Sequence, residues 1–340
     1  MTSSPKNPVY VGYNSTSIPL KYMSEKLKIG ISTCLLGVNI RYDGGHKNSR
    51  LVNKFEKIFD YHPICPEVGS GMSTPRPAIH LMEGDSPEEV RLVESKNHEV
   101  DYTDQMQAYS ERETKALQDL VDGYILMGKS PSCGMDRIKV YKKAGQPSAN
   151  KARGLFAEKL LVNNPLLPVE EEGRLHDAVL RENFIARVYI FREWKQFIAQ
   201  EPSVAGLQLF HQKLKYKVMS HSPSALNQLG RMVSNPDKKA MDQVYKEYIA
   251  LLMETIKQPA KKNGILNALQ HVYGYFKNKV DEDEKKYLLE MLEDYKEGFV
   301  PLIMVRRALS HLAEKHENEY ILQQNLIKRY PKHLNLYRDL

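Results

Sequence analysis

The hydrophobic pattern divides the chain into two textures. From Lys28 the apolar positions come in short, β-branched runs bounded by Gly, Pro and Asn. KIGISTCLL, YHPICPEVG and DGYILMGKS each read as a buried strand running into a loop. EVRLVES and the following HEVDYT read as a further strand pair. Between them TDQMQAYSERETKALQDLV repeats at helical spacing: Met106, Tyr109, Leu117, Leu120 and Val121 share one face, with Thr103 as the expected N-cap. Strands alternating with a helix predict an α/β domain with a mostly parallel sheet, whose ligands belong at the carboxyl ends of the strands.

Further along, the period becomes helical. Residues 176–199, HDAVLRENFIARVYIFREWKQFIA, predict one long amphipathic helix. Ser203, Ser222 with Pro223, Asp237, Pro259 and Asp281 each precede a new helical segment, the last with acids clustered where the macrodipole favours them. Few strand signals follow Gly154. The predicted layout is a non-periodic tail over 1–26, an α/β domain over 27–175, a helical connector over 176–202 and an all-α domain over 203–340.

Composition changes this picture little. Of 340 residues, 41% are hydrophobic and 27% charged, ordinary values for a globular chain. The longest apolar runs, Gly123–Met127 and Ile249–Met253, are too short to cross a bilayer. MTSSPKNPVYVGYNS has no apolar signal core, so export is not expected. Three cysteines, an odd and sparse set, argue against a disulfide scaffold and for a reducing, cytoplasmic location. Charge is more informative by position. Residues 1–165 carry 22 basic and 19 acidic side chains, whereas residues 203–279 carry 12 and 4. Aromatic and imidazole rings are interleaved with the latter lysines, as a polyanion such as RNA requires. Composition alone favours the plainer alternative of solvated lysine-bearing helix faces around an aromatic core.

Chemistry concentrates at the cysteines. Cys34 in ISTCLLG, Cys65 in HPICPEVG and Cys133 in GKSPSCGMD each end an expected strand and begin a loop, so the three sulfurs can converge at one sheet edge. Their spacings match no zinc-finger or ferredoxin pattern. Taken singly, each is a small buried hydrophobe. Taken together, they suit either an incompletely ligated iron–sulfur cluster with one open iron or a catalytic zinc with three protein ligands. Polar residues crowd the same loops: Arg41-Tyr42-Asp43-Gly44-Gly45, Glu67, Lys129, Ser130 and Ser132. Turn chemistry explains each serine and the Asp-Gly-Gly run singly, and a surface ion pair explains Glu67. Their clustering at three cysteine loops favours a site.

In this order, CLLGVNIRYDGG, CPEVGSGMSTPRP and MGKSPSCG resemble the thiouracil desulfidase family over residues 27–165. The second half, from RLHDAVLRENFIARVYIFREW onward, is similar to the helical domain fused to this family in two-domain tRNA 4-thiouridine desulfidases. The resemblance implies a 4Fe-4S cluster held by Cys34, Cys65 and Cys133, with one iron open to the thiocarbonyl sulfur of the substrate. Water would then replace sulfur and release hydrosulfide. It implies Glu67 as the group moving protons to and from the water, and Ser130 as the group orienting the heterocycle. Asp43 is a candidate for substrate or water hydrogen bonding. One departure is Ser70, where the family pattern has the first glycine of a pair.

The partner so implied is thiolated tRNA, its target base turned outward into the pocket. Lys213, Lys215, Lys217, Arg231, Lys238, Lys239, Lys261 and Lys262 would neutralise phosphates. Free thiouracil is the smaller alternative substrate, the helical domain then serving stability or oligomerisation. A non-catalytic RNA-binding protein with a structural metal centre is the third. No membrane and no protein partner are expected.

Overall fold

The structure is a computed structural model that describes residues 26–86, 89–200, 202–235 and 237–327. The expected tail, apart from Lys26, and residues 328–340 of the helical domain lie outside the described residues.

Every residue of β1 (Leu27–Ser32) except Lys28 is buried, as in a parallel strand covered on both faces. A 3-10 turn, Thr33–Leu36, follows, then α1 (Arg50–Lys54), β2 (Phe59–Ile64) and the single turn α2 (Pro66–Gly69). The hairpin strands β3 (Ile79–Glu83) and β4 (Val90–Glu94) lead into α3 (Thr103–Ala116) and β5 (Gly123–Leu126). Next come β6 (Ile138–Tyr141), β7 (Pro147–Ala152), α4 (Leu155–Asn163) and β8 (Val169–Glu171). One sheet has the order β2-β1-β5-β8 and is parallel throughout. The other, β4-β3-β6-β7, is mixed, with a parallel β3–β6 pair between two antiparallel ones.

The remainder is helical. Asp177 caps α5 (Ala178–Ala199), accepting from the N–H groups of Val179 and Leu180. Then follow α6 (Val204–His221), α7 (Pro223–Ser234), α8 (Met241–Thr255), α9 (Lys262–Tyr273), α10 (Glu282–Glu297), α11 (Leu302–Lys315) and the short α12 (Glu319–Leu322). The α/β-plus-helical architecture is therefore as expected. The helix α5 does more than connect. Phe184, Ile185 and Val188 pack on the Ile29, Ile31 and Ile125 side of the parallel sheet. Farther along, Trp194 sits among Phe197, Phe210, Tyr245 and Tyr248, so one helix supplies core to both halves.

Several local expectations are corrected. The partner of β4 is Ile79–Glu83, which alternation alone did not single out, while the HEVDYT segment contributes only the bridge Val93–Asp101. The N-cap of α3 is Tyr102, without a side-chain bond; the Thr103 hydroxyl instead accepts from the Leu92 N–H at 2.8 Å and ties the helix to β4. Helix α8 starts at Met241, not after Asp237, because Asn235 and Lys238 adopt left-handed φ of 41° and 52°. Helix α9 starts at Lys262 because Lys261 is still extended. Among the described residues no helix is long and apolar enough to cross a membrane.

Burial of cationic groups sets a pH limit on the helical half. Burial, with Lys217 nearby, pushes His221 down to about 3, opposed by a hydrogen bond to the Gln258 backbone. The unfolded chain binds a proton at His221 below about 6.5 that the folded chain binds only near 3, so stability present above that ordinary value is lost as pH falls between them. His221→Leu should therefore flatten the drop in melting temperature between pH 7 and pH 5 followed by circular dichroism; an equal drop in both proteins would contradict the assignment.

Candidate functional site

Adjacent strands β2, β1 and β5 all point the same way, so their carboxyl ends stand side by side, about 4.8 Å apart. Each end opens a cysteine loop. Cys34 lies in the 3-10 turn directly after β1. Cys65 is the N-cap of α2, with Pro66 at the first helical position, where its missing N–H costs nothing. Cys133 follows β5 after the loop that begins at Met127. The chain passes from β1 to β2 on one side and later to β5 on the other, so the strand order reverses at β1, where such sheets bind ligands. A cavity of about 360 Å³ opens there, lined by Cys34, Cys65, Cys133, Glu67, Arg76 and Ser130 among others.

Burial governs the thiols. It pushes Cys34 up to about 11, the neighbouring Cys65 adding to the effect. Burial also raises Cys65 and, most strongly, Cys133, whose thiol is bonded to the Ser32 side chain. Without a metal they are neutral thiols at neutral pH and poor nucleophiles. A cationic core that takes thiolates as ligands removes that penalty.

Three features bear on what this donor set could hold. All three cysteines of the chain face one cavity. The three thiols also lie close enough together that each raises the pKa of a neighbour or has its own raised by one. The Tyr124 hydroxyl, fully buried near Cys133 and Cys65, has no hydrogen-bond partner among the described residues. Three soft donors around one cavity, with a free hydroxyl donor beside them, fit a multi-iron sulfide core.

The loops are held by charge and by close backbone contact. The Ser130 hydroxyl accepts from the N–H groups of Ser132 and Cys133 at 3.1 and 3.0 Å, shaping the turn that presents Cys133. Ser132, fully buried, donates to Glu67 Oε1 at 3.0 Å. Arg76 donates to Glu67 Oε2 through Nε at 2.9 Å and Nη2 at 2.5 Å. Its Nη1 donates to the carbonyls of Ile40 and Ser73 at 3.1 and 2.9 Å. The acidic run at the end of β8 does similar work. Glu171 accepts from the Met135 N–H at 2.7 Å, and Glu172 accepts from the Ser49 hydroxyl. Ser49 in turn donates its N–H to Leu35, beside Cys34, at 2.9 Å. Sequence reasoning missed Arg76, Glu171 and Glu172. Arg76 stands inside the STPRP motif, which was the available signal; the glutamates carried none.

Other expected residues fall elsewhere. Asp43 is half exposed, accepts from the Gly45 N–H at 3.0 Å within its own turn, and does not line the cavity. The turn and Arg41 both engage Oδ1. Ser70 has an ordinary φ of −82°, while Gly71 stands at +104°, so only the second position of the expected glycine pair requires glycine. Arg231, Lys238, Lys239, Lys261 and Lys262 are exposed, and Lys213 and Lys215 are half-buried. Lys217 is buried near Glu182 and Arg306, which pair with each other, and burial lowers its amine to about 8. It therefore cannot meet a phosphate and leaves the candidate RNA surface.

A thiol-lined cavity at the switch point of a parallel sheet, with a held carboxylate in its wall, defines a candidate metallocentre. The family model described as 2-thiouracil desulfurase matches residues 29–172, which contain all of it. The uncharacterized protein YbbK of Bacillus subtilis (strain 168) is 32% identical over 153 residues, covering 44% of this chain and 98% of the relative. The chain belongs to the 2-thiouracil desulfurase family. A second model, DUF1722, a family of unknown function, matches residues 215–331. The uncharacterized protein YbgA of Escherichia coli (strain K12) is 22% identical over 156 residues, 46% of this chain and 92% of the relative. Among solved structures, a 4Fe-4S-dependent thiouracil desulfidase, TudS, is 28% identical and covers 44% of this chain and 94% of its own, with a TM-score of 0.36.

The Cys133 loop rests on Gly154. A Cβ there would lie 2.5 Å from the Ser132 carbonyl group and 2.9 Å from the Cys133 nitrogen, all backbone atoms. Gly154→Ala should cost ~1–3 kcal/mol in urea unfolding through overpacking. Gly173→Ala, whose Cβ meets nothing within 4 Å, should leave the midpoint unchanged.

Proposed function

We propose that this protein removes sulfur from 4-thiouridine in tRNA, using a 4Fe-4S cluster held by Cys34, Cys65 and Cys133. The observation that carries the reading is the convergence of all three cysteines on one cavity whose wall also holds Glu67 and Ser130. Held by these three thiolates, such a cluster would supply an open, soft Lewis-acidic iron matched to a thiocarbonyl sulfur.

The reaction exchanges C=S for C=O: one water enters, both of its protons leave on sulfur as hydrogen sulfide, and no electrons are transferred. Glu67 takes a proton from the water as it attacks the pyrimidine carbon and returns it to the departing sulfur. Ser130 keeps its own hydroxyl proton while accepting two backbone N–H bonds, so it can donate to the heterocycle. Ile40, Ile64 and Ile79 give the same space an apolar wall. Asp43 has no part in this scheme.

The RNA part of the reading rests on the basic excess of the helical half and on exposed Arg231, Lys238, Lys239, Lys261 and Lys262. A second reading, a desulfidase of free thiouracil, is favoured by one observation: among the described residues, none beyond Cys133 lines the cavity. A reducing compartment fits either, since neither tolerates oxidised thiols.

Anaerobic reconstitution with iron and sulfide should give absorbance near ~400 nm, the thiolate-to-iron region expected of such clusters, and each Cys→Ser variant should lose it. Sulfide release should be faster from 4-thiouridine tRNA than from free 4-thiouracil; the reverse order would promote the second reading, and none from either would reject both. Binding of tRNA should weaken steeply with salt. The combined Lys238, Lys239, Lys261 and Lys262→Ala variant should reduce the log–log slope by roughly 1 for each phosphate it no longer neutralises.

A further inference from the structure

Glu67 links two of the cysteine loops directly and reaches the third through Arg76. It lies on α2, two residues after Cys65. Its Oε1 accepts from Ser132, the residue before Cys133. Its Oε2 accepts twice from Arg76. Arg76 is anchored in turn to the loop after Cys34: its Nη1 donates to the Ile40 carbonyl and its backbone N–H to the Tyr42 carbonyl at 2.9 Å. The Arg76 side chain is only 5% exposed and that of Glu67 15%. A glutamate left to itself samples three torsions. Here both oxygens are fixed from opposite sides by buried donors, one of them charged. Each oxygen has two lone pairs, and Ser132 occupies only one on Oε1. The carboxylate is therefore immobilised while one acceptor position on Oε1 remains for a water.

We propose that Arg76 and Ser132 are positioning residues that act through Glu67, aiming its carboxylate at the reacting carbon and water; this rests on the desulfidase reading above. Arg76 sets the direction, because its Nε–Nη2 edge grips Oε2 while Nη1 is held by carbonyls of the chain. Lysine could supply the charge without the fork. Ser132 sets the roll of the carboxylate about that axis.

The full-length protein tests this after anaerobic reconstitution, with Arg76→Met, Arg76→Lys and Ser132→Ala each made in the native and in the Glu67→Gln background. Iron content and absorbance near ~400 nm report the cluster independently of turnover. Expected are native iron and absorbance and KM within about threefold of native, with kcat lowered ~100-fold in Arg76→Met and ~10-fold in Ser132→Ala, the size of loss a small misplacement causes. Arg76→Lys should recover part of the loss. In the Glu67→Gln background neither substitution should lower kcat further, because both act through the group already removed. In a variant that keeps its cluster, an added loss in the Glu67→Gln background or kcat within about threefold of native overturns the proposal, as does a fall in kcat that tracks lost iron in Ser132→Ala. If Arg76→Met holds no cluster, Ser132→Ala, which removes a single hydroxyl, decides by the same criteria. Failure of the native protein to release sulfide from any thiolated substrate rejects the desulfidase reading itself, and this inference with it.

Discussion

Three parallel strand ends on one sheet edge are the constraint from which this site follows. Parallel pairing fixes neighbours about 4.8 Å apart and points their carboxyl ends the same way. With β1 between β2 and β5, residues about 30 and 70 positions apart become neighbours wherever the strands stop. Leu27, Ile29 and Ile31 secure that arrangement by burial on the central strand. The cysteines need no local spacing motif, because the sheet supplies the spacing. That is why the chain carries a three-thiol cavity without any of the short Cys-x-x-Cys repeats that build a site within one loop.

Sheet geometry brings the loops to the edge but does not shape them. Ordering each loop residue opposes folding by ~1–2 kcal/mol. The bonds that offset this are mostly charge-assisted, each contributing ~1.5–3 kcal/mol where buried. Glu67 joins the second and third loops, Arg76 joins these to the first, Glu171 holds the Met135 N–H, and Glu172 holds Ser49. The hydroxyls of Ser130 and Ser132, close together in a single motif, are divided between two tasks: one shapes the backbone of its own loop, the other reaches across to Glu67.

The helical half is joined to this edge from behind. Helix α5 covers one face of the parallel sheet with its first turns and enters the aromatic cluster around Trp194 with its last. Its polar face carries Glu182 to Arg306 of α11, with Lys217 of α6 close by. These buried charges explain why the basic composition of residues 203–279 overstates the free positive surface: one of its lysines is spent inside.

The sequence by itself determined the class of fold, the three cysteine loops and the family, because buried parallel strands, capped helices and motif order are all local or periodic signals. It identified Ser203, Ser222 and Asp281 as caps, each of which accepts a backbone N–H in the structure. It also named Glu67 and Ser130, which line the cavity. It misplaced Lys217, since a lysine on a buried helix face looks like any other Lys in one dimension. It passed over Arg76 and the acidic run of β8 for the same reason. What an ionic side chain does depends on which partners the fold brings within about 3 Å and on whether water is excluded there, and both are settled only when distant segments pack.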